Sequence, residues 1–150
     1  MEQELYQQAE DFFLKRLNTD GVFKTVDRAD YALLYAVAQC QSASQTTDRA
    51  YLYQLSEQMN QPIPRISRAI RHLQEKGYVT WKTDDELGRT YVKLTSIAVE
   101  LMQDMKNSLR DYYVEIVNTV DSTDLETTLR TMKQISDIIS ARQAQKGEDN

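Results

Sequence analysis

The stretch Pro62–Thr95 constrains this chain more than any other. It reads Pro-Ile-Pro-Arg-Ile-Ser-Arg-Ala-Ile-Arg-His-Leu-Gln-Glu-Lys-Gly-Tyr-Val, then Thr-Trp-Lys, an acidic turn, and Gly-Arg-Thr-Tyr-Val-Lys-Leu-Thr. Ile66, Ile70 and Leu73 recur at i, i+4 and i+7 with Ala69 alongside, so they share one helical face. Arg65, Arg68, Arg71 and His72 are left pointing outward. Pro62 and Pro64 fall at the helix start, where backbone N–H groups have no helical partner and proline costs little. Gly77 supplies a left-handed stop. Tyr78–Lys82 and Thr90–Leu94 alternate as two antiparallel strands, with Asp84–Gly88 as the turn. A basic helix can enter a DNA major groove while a basic hairpin lies along the backbone beside it, which is the arrangement of a winged helix-turn-helix.

Charge supports the same reading. The 150 residues carry a net −5, which argues against indiscriminate nucleic-acid binding. Within residues 62–93, however, seven basic residues (Arg65, Arg68, Arg71, Lys76, Lys82, Arg89, Lys93) face four acidic ones (Glu75, Asp84, Asp85, Glu86). That segment is therefore +3 and the remainder −8. Positive charge gathered on one part of an acidic protein is the footprint of a local phosphate-binding face. A solvated helix face would show the same charge, and the hairpin after the helix decides between them.

The flanking sequence is helical. Leu5, Tyr6, Ala9, Phe12, Phe13 and Leu17 keep helical spacing up to Gly21. Asp27 is a good N-cap for a second helix reaching about Cys40, and Tyr31 to Ala38 is apolar on nearly every side, as a helix buried between layers is. Polar Gln41 to Asp48 reads as a loop. Leu52, Leu55 and Met59 mark a short third helix, and Asn60-Gln61-Pro62 a turn. After the hairpin, Thr95 or Ser96 caps a long helix carrying Ala98, Leu101, Met102, Met105, Leu109, Tyr112, Tyr113, Ile116 and Val120. Asp121 to Asp124 breaks it. A last helix carries Leu125, Leu129, Met132, Ile135, Ile138 and Ile139, and residues from Lys146 read as a frayed polar tail. The fold class is thus mainly α with a small β-hairpin wing. Residues 48–95 form the winged-helix region within a single 150-residue unit, and 1–47 and 96–150 supply dimerisation helices. The outer helices have more apolar surface than one small unit can cover, so each stripe is expected to bury itself on a twin.

Laid end to end, these fragments resemble the MarR/SlyA family of bacterial transcription regulators. The resemblance follows the helix order of nearly the whole chain. It is sharpest over Leu55-Ser56-Glu57, Ile66-Ser67-Arg68, Leu73-Gln74-Glu75-Lys76-Gly77-Tyr78-Val79 and Val92-Lys93-Leu94-Thr95. It implies a homodimer on a palindromic operator, most simply a repressor, with Pro62–Lys76 reading the major groove and Thr80–Leu94 touching the minor groove or phosphates. The sequence departs from the family twice. Where the family's wing carries Asp-x-Arg, this chain has Glu86-Leu87-Gly88, and the nearest arginine is Arg89. Where the family has glycine shortly after Leu-Thr, this chain has Ile97 and Ala98.

Double-stranded DNA is the expected partner, through Pro64, Arg65, Ser67, Arg68, Arg71, His72, Lys76, Lys82, Arg89 and Lys93. Arg65 and Arg68 lie three apart in the first turns, where an arginine can bond bidentately to guanine O6 and N7; phosphate contact or plain solvation is their alternative role. Ser67 can bond base or phosphate, or cap locally. Arg71, His72 and Lys76 lie farther along and suit phosphate. His72 is the only histidine and lacks companion ligands, so no metal or other cofactor is expected. Cys40 ends an apolar helix and reads as a small buried hydrophobe, with redox sensing as the lesser alternative. Many regulators of the family it resembles bind small aromatic effectors, and Tyr31, Tyr35, Tyr51, Tyr53, Trp81 and Tyr112 are the residues that could line such a pocket; core and interface packing is the competing role.

A winged-helix module meeting an acidic protein partner without sequence-specific DNA binding is the alternative function. The chain shows no phosphate-cradling glycine loop and no Ser/His/Asp constellation, so an enzyme is not expected. With no signal-peptide pattern and no long apolar run, it reads as cytoplasmic with no membrane span.

Overall fold

The computed structural model describes residues 2–15, 21–43 and 48–148. The apolar stripe read on Pro62–Lys76 organises the centre. In α4 (Ile63–Glu75), Ile66, Ile70 and Leu73 are buried. They pack in one cluster with Leu33, Leu34, Ala36, Val37 and Cys40 of α2 (Arg28–Ala43), Leu55 of α3 (Leu52–Met59), Val79 and Val92 of the sheet, and Ala98 of α5 (Ser96–Thr119). The remaining elements are α1 (Glu2–Lys15), β1 (Ala50–Tyr51), β2 (Val79–Thr83), β3 (Thr90–Leu94) and α6 (Ser122–Glu148). The result is mainly helical with a small antiparallel sheet, as the sequence predicts.

That sheet has three strands in the order β1-β3-β2, not two. β1 pairs Ala50 with Val92 and Tyr51 with Tyr91. Two residues are too few to show an alternating pattern, and β1 exists because β3 offers it a free edge. Within the hairpin, Trp81 faces Val92 and Lys82 faces Tyr91. Trp81 and Val92 lie on the core side, and Lys82, Tyr91 and Lys93 on the other.

Several boundaries shift. α2 continues to Ala43, beyond the loop expected from Gln41, and Gln41 Nε2 donates to the Asp48 carbonyl at 2.8 Å. α2 also packs into the same core as the winged unit. Asp121 does not merely break the last two helices apart. Its Oδ1 accepts from the Thr123 and Asp124 N–H groups at 3.0 and 3.2 Å, so α6 begins at once at Ser122. The tail expected to fray from Lys146 is helical through Glu148. The predicted side-chain roles of Phe12, Phe13 and Leu17 lie outside the described residues.

Thr95 explains why Leu-Thr ends the hairpin. Its Oγ1 accepts from the Ala98 N–H at 3.3 Å, capping α5, and donates to the Gly77 carbonyl at 2.7 Å. Its N–H donates to the Tyr78 carbonyl at 3.0 Å. One side chain thus ties the end of α4 to the start of α5. Thr95→Ala removes a cap and leaves a half-buried carbonyl without its partner. It is expected to cost about 1–2 kcal/mol, read as a lowered urea midpoint with unchanged slope.

Among the described residues, α1 and α6 contribute nothing to the buried core. No described helix is long and apolar enough to cross a membrane.

Candidate nucleic-acid interface

Placement of the basic helix begins one turn upstream. α3 ends at Asn60, whose φ of 51° is left-handed, a conformation asparagine tolerates better than most residues. Ser56 Oγ donates to the Gln61 carbonyl at 2.6 Å, and the Gln61 N–H donates back to the Ser56 carbonyl at 3.1 Å. This rigid turn delivers Pro62 in extended geometry as the α4 N-cap. α4 closes with Gly77 at φ 79°, where a side chain would be strained.

The outward face of α4 then presents Pro64, Arg65, Arg68 and Arg71, all exposed, with Ser67 half-buried. The three arginines make the unencumbered basic strip that the sequence predicts. His72 and Lys76 are placed differently. Lys76 Nζ lies 2.6 Å from Asp30 Oδ2 on α2, and His72 Nε2 lies 3.8 Å from the same atom. That hydrogen bond raises the Lys76 pKa. From the sequence both suit phosphate contact, like Arg71. In the fold they lie beside α2, where Lys76 meets a carboxylate 46 positions away in sequence.

On the hairpin, Lys82 and Arg89 are exposed and Lys93 is half-exposed. Lys82 and Lys93 share the sheet face turned away from the core. The Arg89 guanidinium sits 5.3 Å above the Tyr53 ring. Asp84, read in the sequence only as an acidic turn residue, is buried at 6% exposure. Its Oδ2 accepts from Arg49 Nη1 and from the Tyr51 hydroxyl, both at 2.8 Å. Its Oδ1 accepts from the Glu86 and Leu87 N–H groups at 2.9 and 3.3 Å. The Tyr51 hydroxyl and the Glu86 N–H, with help from Leu87 and Arg49, hold the Asp84 carboxyl below the usual carboxylate range against the opposing effect of burial. A depressed folded-state pKa gives stability that is complete above the unfolded value and lost as pH falls through the folded one. Between about pH 6 and about pH 3, the melting temperature of an Asp84→Asn chain is therefore expected to fall less than that of the parent. Parallel curves would show that Asp84 is not a source of the acid sensitivity.

Arg49, Asp30 and Asp84 are the residues that sequence reasoning missed. Asp84 carried a local signal, since a turn aspartate often bonds the N–H groups just after it. Nothing local pointed to Arg49 or Asp30.

The six aromatics proposed for one pocket are spread over several surroundings. Trp81 packs against the core. Tyr31 tilts against Phe23 with centroids 5.9 Å apart, and Tyr35 is exposed. Tyr51 and Tyr53 stack at 5.8 Å beside the wing. Tyr112 lines a cleft of about 400 Å³ with Val22, Lys24, Thr25, Met105 and Asp111, and none of the other five aromatics reaches it. The family resemblance grouped these rings, with core and interface packing as the competing role, and the fold distributes them. Cys40 is buried, its Sγ donates to Gln58 Oε1 at 3.2 Å, and burial pushes its thiol pKa up, away from the reactive thiolate. No group of three or more His, Cys, Asp or Glu among the described residues could hold a metal ion.

A helix-turn-helix followed by a basic hairpin, with three arginines free on the second helix, defines a winged-helix protein. Its fold is that of the MarR-family transcription regulators. A solved MarR-family transcription regulator superposes with a TM-score of 0.72 at 17% identity, over 93% of this chain and 92% of its own. The chain matches mutant MarR from E. coli in complex with operator DNA with a TM-score of 0.70 at 13% identity, over 88% of this chain and 95% of that one. For Staphylococcus aureus MarR in complex with salicylate and kanamycin the TM-score is 0.67 at 17% identity, over 92% and 91%. No protein-family model and no curated protein sequence matches the chain.

Proposed function

We propose that this chain is a MarR-family transcription regulator: a non-enzymatic, cytoplasmic homodimer that binds double-stranded DNA in a sequence-specific way and represses by occupying a near-palindromic operator. One observation carries the reading. Arg65, Arg68 and Arg71 stand exposed along α4, while Asp30 of α2 is paired with Lys76 farther along the chain. A protein-contact module has no need to keep three arginines clear on the one helix that a major groove admits.

Open apolar surface supports the dimer. Tyr113, Leu129 and Ile138 are 64%, 58% and 64% exposed, and Ile116, Val120, Met132, Ile135 and Ile139 are also uncovered. Together with Leu5 and Tyr6 on α1 they form far more open apolar surface than single exposed residues do. A twofold pair covers it. The Tyr112 cleft is the candidate effector site, since its volume is within the range of ligand pockets and it lies where α5 leaves the winged unit. The salicylate complex of the Staphylococcus aureus protein supports a small aromatic ligand.

Selection of bound fragments from random or genomic DNA tests the reading. The expected product is a near-palindrome with half-site centres about one helical turn (roughly 10 base pairs) apart. Recovery of no preferred sequence, with binding that only follows salt, would overturn it.

A further inference from the structure

A row of side chains links the wing to the start of α3. The Arg49 guanidinium lies 4.4 Å above the Tyr91 ring. Tyr91 meets Tyr51 edge-on at 6.0 Å, Tyr51 stacks on Tyr53 at 5.8 Å, and Arg89 closes the row above Tyr53. Asp84 holds this row and the wing turn at once. Its carboxylate grips Arg49 and Tyr51 on one oxygen and the Glu86 and Leu87 N–H groups on the other. Its own N–H donates to the Arg89 carbonyl at 2.8 Å, and its carbonyl accepts from the Gly88 N–H at 2.8 Å. Arg89 is therefore fixed at its backbone by Asp84 and at its guanidinium by a ring that Asp84 orients through Tyr51.

We propose that Asp84 is a positioning residue for DNA binding, holding Arg89 through Tyr51 and Tyr53 in place to meet phosphate beside α4. This rests on the DNA-binding reading above. The chemistry suits the task. A guanidinium stacks by its flat face and leaves its N–H donors free at the edge, where phosphate is bonded. A side chain already held in that pose loses less freedom on binding than an unrestrained one. The arrangement also accounts for a wing with Gly88 where the family places an arginine. Arg89 is one position later in the chain, and the ring of Tyr53 sets its direction.

The test uses the full chain with Arg89→Ala, Tyr53→Leu, Tyr53→Phe, Tyr51→Phe and Asp84→Asn. Each is measured against the selected duplex and its scrambled counterpart across a salt series. Arg89→Ala and Tyr53→Leu are expected to lower the salt slope by about one unit each, and the double variant by no more than either alone. Tyr53→Phe, which keeps the ring, is expected to match the parent. Asp84→Asn is expected to weaken binding, with Asp84→Asn/Arg89→Ala no weaker than Arg89→Ala. If Asp84→Asn does not fold, Tyr51→Phe breaks the same chain of contacts without touching the turn and carries the same expectation. A purely structural Asp84 would lower stability while its effect on binding added in full to that of Arg89→Ala, and this outcome overturns the proposal.

The NMR signal of the Arg89 Nε–H group provides a reading that needs no DNA. It is expected to be shifted by the Tyr53 ring in the parent and to move to the position of a free arginine in Tyr53→Leu, Tyr51→Phe and Asp84→Asn. If the parent binds no DNA, the regulator reading fails while this signal still decides whether Asp84 positions Arg89. An unchanged signal in all three variants overturns the positioning itself.

Discussion

An Ile135→Asp chain is expected to run as a monomer, or not to fold, where the parent runs as a dimer at micromolar concentration. Ile135 stands on α6 beside Met132 and Ile139, and among the described residues this helix gives none to the chain's own core. A carboxylate on that surface would lose water on pairing and find no partner, a cost of several kcal/mol for each copy. Because a twofold axis places the substitution in the interface twice, the penalty counts twice. Leu129→Asp is expected to act in the same way. Light scattering across a concentration series separates the outcomes. A parent that scatters as a monomer would remove the dimer, and with it the reason for a palindromic site. Since a chain that cannot pair presents one α4 instead of two, Ile135→Asp is also expected to lose nearly all operator binding under conditions in which the parent is saturated.

The second large effect falls on α4. Removing Arg65 or Arg68 is expected to cost about 1–3 kcal/mol per half-site on the selected operator and much less on scrambled DNA, so that base preference relaxes. Both are exposed, and both lie in the opening turns of the helix that the Ser56–Gln61 turn presents. Arg89→Ala is expected to weaken both DNAs alike, as a backbone contact does. Binding of each variant to operator and scrambled duplexes over a salt series makes the comparison. Equal losses on both DNAs for Arg65→Ala and Arg68→Ala would move base reading elsewhere on the protein. Lys76→Ala supplies an internal contrast. Its ammonium is held by Asp30, so it is expected to change DNA affinity less than Arg71→Ala does.

Much of the fold is legible in the sequence because its signals are local and repeated. Ile66, Ile70 and Leu73 fix the buried face of α4, and the same spacing leaves the arginines outside. Gly77 and Thr95 mark the ends of the hairpin segment by backbone chemistry that few other residues supply. What was not legible depends on partners distant in the chain. β1 is too short for any pattern and exists only because β3 has an open edge. Lys76 looks free until α2 brings Asp30 to it. Asp84 looks like one acid among three in an exposed turn until Arg49 and Tyr51 arrive 35 and 33 positions away in sequence. The same limit scattered the tyrosines. The family resemblance suggested a shared pocket, but only the tertiary fold decides which rings meet.

The hydroxyl of Thr95 has a mechanical consequence. It is bonded at once to the last carbonyl after α4 and to the first turn of α5. The two helices meet at this hydroxyl as well as in the shared core. α5 is 24 residues long, about 36 Å at the usual helical rise, while α4 has 13. A tilt of a few degrees at the far end of the long helix that kept the Thr95 bonds would be passed on as rotation of the basic strip. In a pair of chains, the separation of the two basic strips would then follow the angle at which each α5 departs from Thr95. A molecule wedged beside Tyr112 would act on the long helix some distance from Thr95, where a small push gives a useful moment without touching a single arginine.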